Sequence, residues 1–328
     1  MGSIRLATIY KYWYCFIMRK SEGIYGESTV YAFYKCFLTP QLRPVSCRTV
    51  SSIFCNFFLR QHIAAFLPGR IPVSKADHEI DGKIPFTPSW ITIYIDFTQF
   101  WIRMLSFYLR RYGRKAYKII ADFIKSIGDL YAYAAEVYTK NFSTTKRPFY
   151  IARARFLLIH LVDPHLMCIP SLHVMVVIHT YKQFIAAAKE LGVEEKYKDQ
   201  IEVMKQGALA ISRAILFVKQ HSVNCVPTAL YAMTCFSPEH FPPKEAEEFI
   251  NLLFSPASDA KEKVSGALPE VFPRVHPAAS PKIKISDEDQ EIIKKHIMSL
   301  YRSFLSQRDA SKPWYDPLLE FLKKLPKI

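Results

Sequence analysis

Uninterrupted apolar runs, glycine and paired cysteines are what this chain has least of. The best apolar run, residues 90–109, carries Asp96 and Arg103 inside it, so it falls short of the roughly 20 mostly apolar residues of a simple membrane span. Only 10 of 328 residues are glycine, a low share for an enzyme of this length. The seven cysteines (Cys15, Cys36, Cys47, Cys55, Cys168, Cys225 and Cys235) are scattered without a C-x-x-C pair, which argues against a zinc site and against a dense disulfide framework. No helix-turn-helix, zinc-finger or RNA-binding signature accompanies the formal charge of +15, so nucleic acid is not the expected partner. An early apolar stretch with Arg5 is broken by Lys11 and does not read as a cleavable signal, and Met1-Gly2-Ser3 lacks the Ser or Thr at position 6 that myristoylation favours. No internal repeat is visible and strand-like alternation is rare.

What is present is apolar, aromatic and basic at once: 50% hydrophobic residues, 14% aromatic and an excess of Lys and Arg, a balance that suits an anionic membrane. Residues 90–109, 117–138, 173–187, 207–220 and 222–236 are candidate helices, each but the last with charged or ionisable interruptions; 50–67 is a further one, broken by Arg60 and His62. Basic clusters follow the first (Arg110, Arg111, Arg114, Lys115, Lys118) and separate the third from the fourth (Lys189, Lys196, Lys198, Lys205). If both clusters stay inside, alternating crossings put Lys140, Arg147, His173 and His221 together on the opposite face. The competing reading is a soluble helical protein whose basic loops are solvated faces.

Residues 255–285 read as a linker, with Pro256, Pro269, Pro273, Pro277 and Pro281. Ser286 then caps a helix with Asp287, Glu288 and Asp289 in its first turn and Ile293, Ile297, Tyr301 and Phe304 at helical spacing. A second short helix is expected over 318–325, after Pro317. The expected divisions are an N-terminal region with a first membrane helix (1–83), a helix bundle (84–240), a short helix with the linker (241–285) and a helical tail (286–328).

Three segments carry chemistry: Lys140 with Arg147-Pro148 seven positions on, Pro170-Ser171-Leu172-His173, and Lys219-Gln220-His221. Cations clamp phosphate oxygens and neutralise charge that builds in the transition state. One imidazole can attack phosphorus while a second protonates the leaving oxygen. Pro170 suits the start of a helix, where Ser171 and backbone N–H groups would receive an anion.

In this order and spacing, the segments resemble the type 2 phosphatidic acid phosphatase superfamily, whose motifs are K-x6-R-P, P-S-G-H and S-R-x5-H-x3-D; the P-S-L-H form resembles a lipid-linked branch of it. Ile84-Pro85-Phe86-Thr87-Pro88 before an apolar run is also similar, and the resemblance spans residues 84–236. It implies an all-α, membrane-embedded bundle of about five to six helices with a small helical cytoplasmic tail and a site on the extracytoplasmic face of an integral membrane protein. It implies a metal-independent phosphatase or phosphotransferase acting on a lipid phosphate or pyrophosphate, without a cofactor. His221 would be the nucleophile and His173 the acid–base, with Lys140, Arg147, Ser171 and Lys219 binding phosphate. The third motif departs from the pattern. Arg213 lies two residues early, at the opposite face of the helix from the expected position, Ile215. Cys225 stands where the family has the Asp that orients the nucleophile, leaving Asn224 or Asp163 to replace it. A catalytically degenerate, non-enzymatic membrane or binding protein is therefore the alternative. His160, His165 and Asp163 invite a metal reading, but the family needs none and none is assigned.

Overall fold

Residues 172–178 are apolar on every side except at His173, and a helix apolar all round belongs inside a bundle. The computed structural model describes residues 23–67, 69–150, 152, 154–254 and 285–328, and these are mostly helical. The expectations on the N-terminal signal, myristoylation and Cys15, and the linker with its five prolines, lie outside the described residues. In order the helices are α1 (Thr29–Leu38), α2 (Arg43–Ile53), α3 (Arg60–Phe66), α4 (Ile91–Ile95), α5 (Phe97–Tyr112), α6 (Tyr117–Tyr138), α7 (Ala154–Val162), α8 (Leu172–Glu190), α9 (Lys198–Phe217), α10 (Cys225–Phe236), α11 (Pro243–Leu253), α12 (Asp287–Gln307) and α13 (Asp316–Lys324). A π-type stretch, Phe54–Leu59, joins α2 to α3.

α8 is the central helix, packed by α5, α6, α9 and α10. Val174, Met175, Val176, Val177 and Ile178 are all buried. The first three helices belong to the same body. α1 lies on α5, and α2 lies so close to α6 that a Cβ on Gly128 would come 3.1 Å from Thr49 Oγ1. Thr49 and Ser52 donate to the Ile124 and Gly128 carbonyls at 2.8 and 2.9 Å, which needs that approach. One hydrophobic cluster runs from Ile24 to Leu322, so the expected N-terminal, bundle and tail regions share a core.

Among the described residues, no helix is long and apolar enough to cross a membrane. The segment 90–109 does not form one span: it breaks at Asp96 into α4 and α5. Asp96 and Arg103, the interruptions in that run, face each other inside the bundle as a two-pronged pair with both contacts at 2.8 Å. Arg110 and Arg111 likewise turn inward onto buried Glu27, at 3.1 and 2.5 Å, whereas Arg114 and Lys115 remain exposed. Two of the five cations in the first basic cluster are thus internal.

A small parallel strand pair positions the site. β1 (Val73–Lys75) and β2 (Phe142–Thr144) pair in register Val73–Phe142, Ser74–Ser143 and Lys75–Thr144. Lys327 bridges to Ser74 beside this pair, and Met167 bridges to Ser143. The tail follows its sequence: Asp289 N–H donates to Ser286 Oγ at 3.1 Å, and Ile293, Ile297, Tyr301 and Phe304 are buried where α12 packs on α10 and α11. Proline at the start of α13 marks the second tail helix.

Candidate functional site

Two backbone turns deliver the histidines. The first is the segment before α8, which is tied down on both sides: Tyr138 Oη donates to Pro170 O at 2.6 Å, and Ile169 N–H to Ser143 Oγ at 2.7 Å. Ser171 is the N-cap of α8, yet its side chain makes no cap bond; Oγ is buried and unpartnered among the described residues. His173, in the first turn, lies against Tyr94 and Phe97 with ring centroids 4.5 and 4.1 Å away. The second turn ends α9. Lys219 N–H reaches Leu216 O and Gln220 N–H reaches Ile215 O, the paired bonds of a Schellman cap, with Lys219 in the left-handed conformation at φ 52°. That position favours glycine, and a lysine there costs about 1 kcal/mol. The sharp reversal points His221 back into the bundle, where its ring meets His173 at 5.2 Å between centroids and an angle of 68°.

A third imidazole joins them. His165 lies 6.1 Å from His221, centroid to centroid. It also has a left-handed backbone, φ 60°, and it and Lys219 are the two non-glycine residues with positive φ among those described. Backbone strain of this kind clusters at functional sites. His165 is buried, with Nε2 at 2.8 Å from Thr145 Oγ1 and 3.5 Å from Cys168 Sγ, and its Nδ1 faces the Asp163 carboxylate at 3.7 Å. Asp163 also accepts from His165 N–H at 2.9 Å. Arg147 donates to Asp163 O at 3.2 Å and to Gln220 Oε1 at 3.4 Å, and lies 3.9 Å from the Asp163 carboxylate.

Electrostatically, the site holds neutral imidazoles around one firm carboxylate. Burial would raise the Asp163 carboxyl, but the His165 hydrogen bonds and the Arg147 charge outweigh it and hold it at about 2. Desolvation pushes His173 down to about 4, with Asp163 pulling the other way. His165 is lowered by burial first and Arg147 next. His221 is pushed well below the ordinary imidazole value by burial, then by His173 and His165, against Asp163 and a hydrogen bond to the Cys168 backbone. His221 Nδ1 is buried and unpartnered among the described residues.

Several expected members stand elsewhere. Lys140 is exposed at the end of the turn after α6. Lys219 belongs to the turn, but its ammonium donates to the Asp81 carbonyl and burial lowers its pKa. Arg213 donates to Leu209 O of its own helix at 3.4 Å, and desolvation lowers it to about 10. Asn224 does not orient His221: its Nδ2 donates to Ala76 O at 3.0 Å and its Oδ1 accepts from His296 at 2.9 Å. Cys225 is fully buried, its thiol pushed up by burial, and supplies no charge.

His173, His221, Arg147 and Ser171 therefore flank one region. Thr145, Gln220 and Cys168 join it with no prior signal beyond adjacency to the motifs. Asp163 and His165 stood out in sequence only for their residue types, and their link to Arg147 needed the fold. No group of three or more His, Cys, Asp or Glu side chains among the described residues is arranged to hold a metal. No family model matches this chain, and neither the curated proteins nor the solved structures contain one similar to it.

Proposed function

We propose that this chain binds a lipid phosphate or pyrophosphate and cleaves or transfers its phosphoryl group through a phosphohistidine, without a metal. The observation that carries the reading is His221 Nδ1, a buried nitrogen with no partner among the described residues, on a ring 5.2 Å from that of His173, which follows the unfilled Ser171 hydroxyl by two residues. Buried polar atoms are nearly always paired, so two orphans in one region call for a ligand with oxygens to share. The first turn of α8 adds backbone N–H groups and the positive end of a 19-residue helix. Arg147 supplies the cation, held in place by Asp163.

The chemistry uses His221 as a neutral nucleophile. The Cys168 backbone favours a proton on this ring, in the direction the missing carboxylate would act. The free nitrogen attacks phosphorus, the bond to the leaving oxygen breaks, and a proton from His173 goes to that oxygen. His173 then takes a proton from water or an alcohol as its oxygen attacks the phosphohistidine, which releases phosphate or a new ester and restores both rings. A proton on His173 is scarce in the empty site, because desolvation has moved it to about 4; a bound phosphate dianion favours it. Accordingly, kcat/KM should fall with rising pH above about 4, while kcat, which reports the loaded site, should hold to higher pH.

A lipid substrate is favoured by the surroundings. Phe149, next to Arg147-Pro148, is 88% exposed, and Leu157, Leu158 and Leu161 are exposed on α7, which leads directly into Asp163. An exposed apolar helix at the mouth of a phosphate site suits insertion into the bilayer interface. We infer contact with the membrane through this face and through exposed Phe33, Tyr34 and Leu38 of α1, in place of spanning helices.

One observation favours the degenerate alternative: among the described residues no carboxylate is bonded to the His221 ring, and Asp163 serves His165 instead. Such a chain would bind the anion and not turn it over. The test is phosphate release in EDTA from phosphatidate and from a polyprenyl pyrophosphate, with an alcohol acceptor in parallel, beside a phosphate-binding measurement. Turnover that vanishes in His221→Ala supports the enzyme. Binding without release or transfer supports the degenerate reading, and neither binding nor turnover sinks both.

A further inference from the structure

On the far side of the loop that carries Asp163 and His165, a cavity of about 700 Å³ opens between the π-type stretch, α3 and the strand pair. Its volume lies within the roughly 300–1,000 Å³ of small-molecule sites. Leu59, Ile63, Val73, Phe142 and Leu166 make its walls apolar. Two cations interrupt them, half-buried Arg60 and, at the rim, exposed Arg70. Neither guanidinium has a carboxylate partner among the described residues, and Arg60 Nε is buried without a hydrogen-bond partner. A buried guanidinium nitrogen without a partner calls for an acceptor, and Arg60 Nε sits in an otherwise apolar wall. The π-type backbone in its wall is a departure from the α-helix that recurs at functional sites.

We infer that this cavity binds a long-chain amphiphile with a single anionic head, the chain lying along the apolar wall and the head paired with Arg60 and Arg70. The occupant has to be both apolar and anionic because the lining is both apolar and cationic. Head and tail recognition are separable: the arginines take an oxyanion by charge-assisted hydrogen bonds, and the walls count methylenes. The inference stands apart from the phosphohistidine reading, because none of the catalytic side chains lines the cavity. It shares with that site only the loop 163–166, through Pro164 and Leu166.

The test is displacement of a fluorescent long-chain carboxylate from the full chain by a C16 carboxylate, a C16 monophosphate and a C16 alcohol. Saturable binding at one site per chain is expected, with the preferred anionic head at least tenfold tighter than the alcohol. The carboxylate and phosphate arms tell a free fatty acid from a phospholipid-type head. Removing two methylenes should weaken binding roughly tenfold. The double variant Arg60→Gln/Arg70→Gln should bring the anion down to the alcohol, and Ala64→Trp, which fills the cavity, should abolish binding. Cys55 lines the cavity and is free and exposed, as Cys47 is outside it. Bound amphiphile should therefore slow maleimide labelling of Cys55 and leave Cys47 unchanged, a readout that needs no variant to fold. His221→Ala should bind the amphiphile as tightly as the parent, which separates this site from the catalytic one. Equal affinity for alcohol and anion, unprotected Cys55, or unchanged binding in a folded Ala64→Trp chain overturns the inference. So does a chain that binds no amphiphile but changes its oligomeric state on Ala64→Trp, which would make the cavity a seat for a second copy.

Discussion

Three pairs of histidine rings meet among the described residues, and two of them differ sharply in what surrounds them. His173 and His221 meet at 5.2 Å, and His78 and His296 at 4.2 Å with an angle of 34°. The second pair is a joint. His78 Nδ1 accepts from Ile80 N–H, His296 Nε2 donates to Asn224 Oδ1, and Asp81 accepts from His78 N–H and Val223 N–H. Lys83 and Asp289 close it from outside. It fastens α12 to the segment before residue 84 and to the start of α10, and neither ring has a buried nitrogen without a partner among the described residues. The first pair holds the orphaned nitrogen of His221, and the orphaned hydroxyl of Ser171 caps the helix turn that carries His173. Equivalent side chains thus serve as mortar in one place and as an open site in the other, and the difference is whether the surrounding groups satisfy them.

The comparison is broken most directly by removing one ring from each pair. His221→Ala should reduce phosphate release or transfer to the assay background and leave the thermal midpoint unchanged or higher, since the ring it deletes is desolvated and incompletely bonded. His173→Asn should lower kcat by about 10²–10⁴-fold, the usual contribution of a general acid, and flatten the fall of kcat/KM above pH 4. Asn224→Ala should do the reverse of both: kcat within a few-fold of the parent, and stability lower by about 1–3 kcal/mol in denaturant unfolding, because His296 and the Ala76 carbonyl lose their partner. A kcat that collapses in Asn224→Ala would return that residue to the site.

The smallest effect expected is on pH. The unfolded chain protonates its imidazoles near 6.5, whereas burial holds His173 and His296 to about 4 and His179 to about 3 in the folded chain. The folded state therefore refuses protons that the unfolded state accepts. Stability is full above about 6.5 and falls as the pH drops toward 4. His179, bonded to Ser126 Oγ at 2.7 Å deep under α6, is remote from the chemistry, so His179→Gln should shallow this slope without altering the pH dependence of kcat. A slope unchanged in that variant would mean that other groups govern acid unfolding.

Local signals in the sequence carried the helices a long way. Ser286 with its acidic first turn and the spacing of Ile293, Ile297, Tyr301 and Phe304 place α12 and name its buried face. Residues 117–138 are α6 to the residue. The motifs that singled out His173 and His221 hold rings that do meet, though not by the alternating membrane crossings expected to bring them together. What was not legible is what depends on pairing across distance. Asp96 and Arg103 read as interruptions in a membrane segment, and only the fold reveals them as partners that cancel inside a bundle. Lys140 has the motif's spacing, but the turn after α6 leaves it in solvent. The strands are three residues each and 66 residues apart in chain order (Lys75 to Phe142 spans 67 positions), too short for alternation to show. Asn224 sits three residues from His221, yet its partner lies 72 residues away on α12.

The left-handed lysine at the end of α9 has one more consequence. A glycine there would adopt the turn at ease, but it would bring to the joint all the freedom of a residue without a side chain. Lys219 accepts a strained conformation and in exchange has few others to wander into, and its ammonium is moored to the Asp81 carbonyl. The turn that aims His221 is in this sense a set square and not a hinge: the separation of the two imidazoles is held by the stiffness of the backbone, before any ligand arrives to hold it.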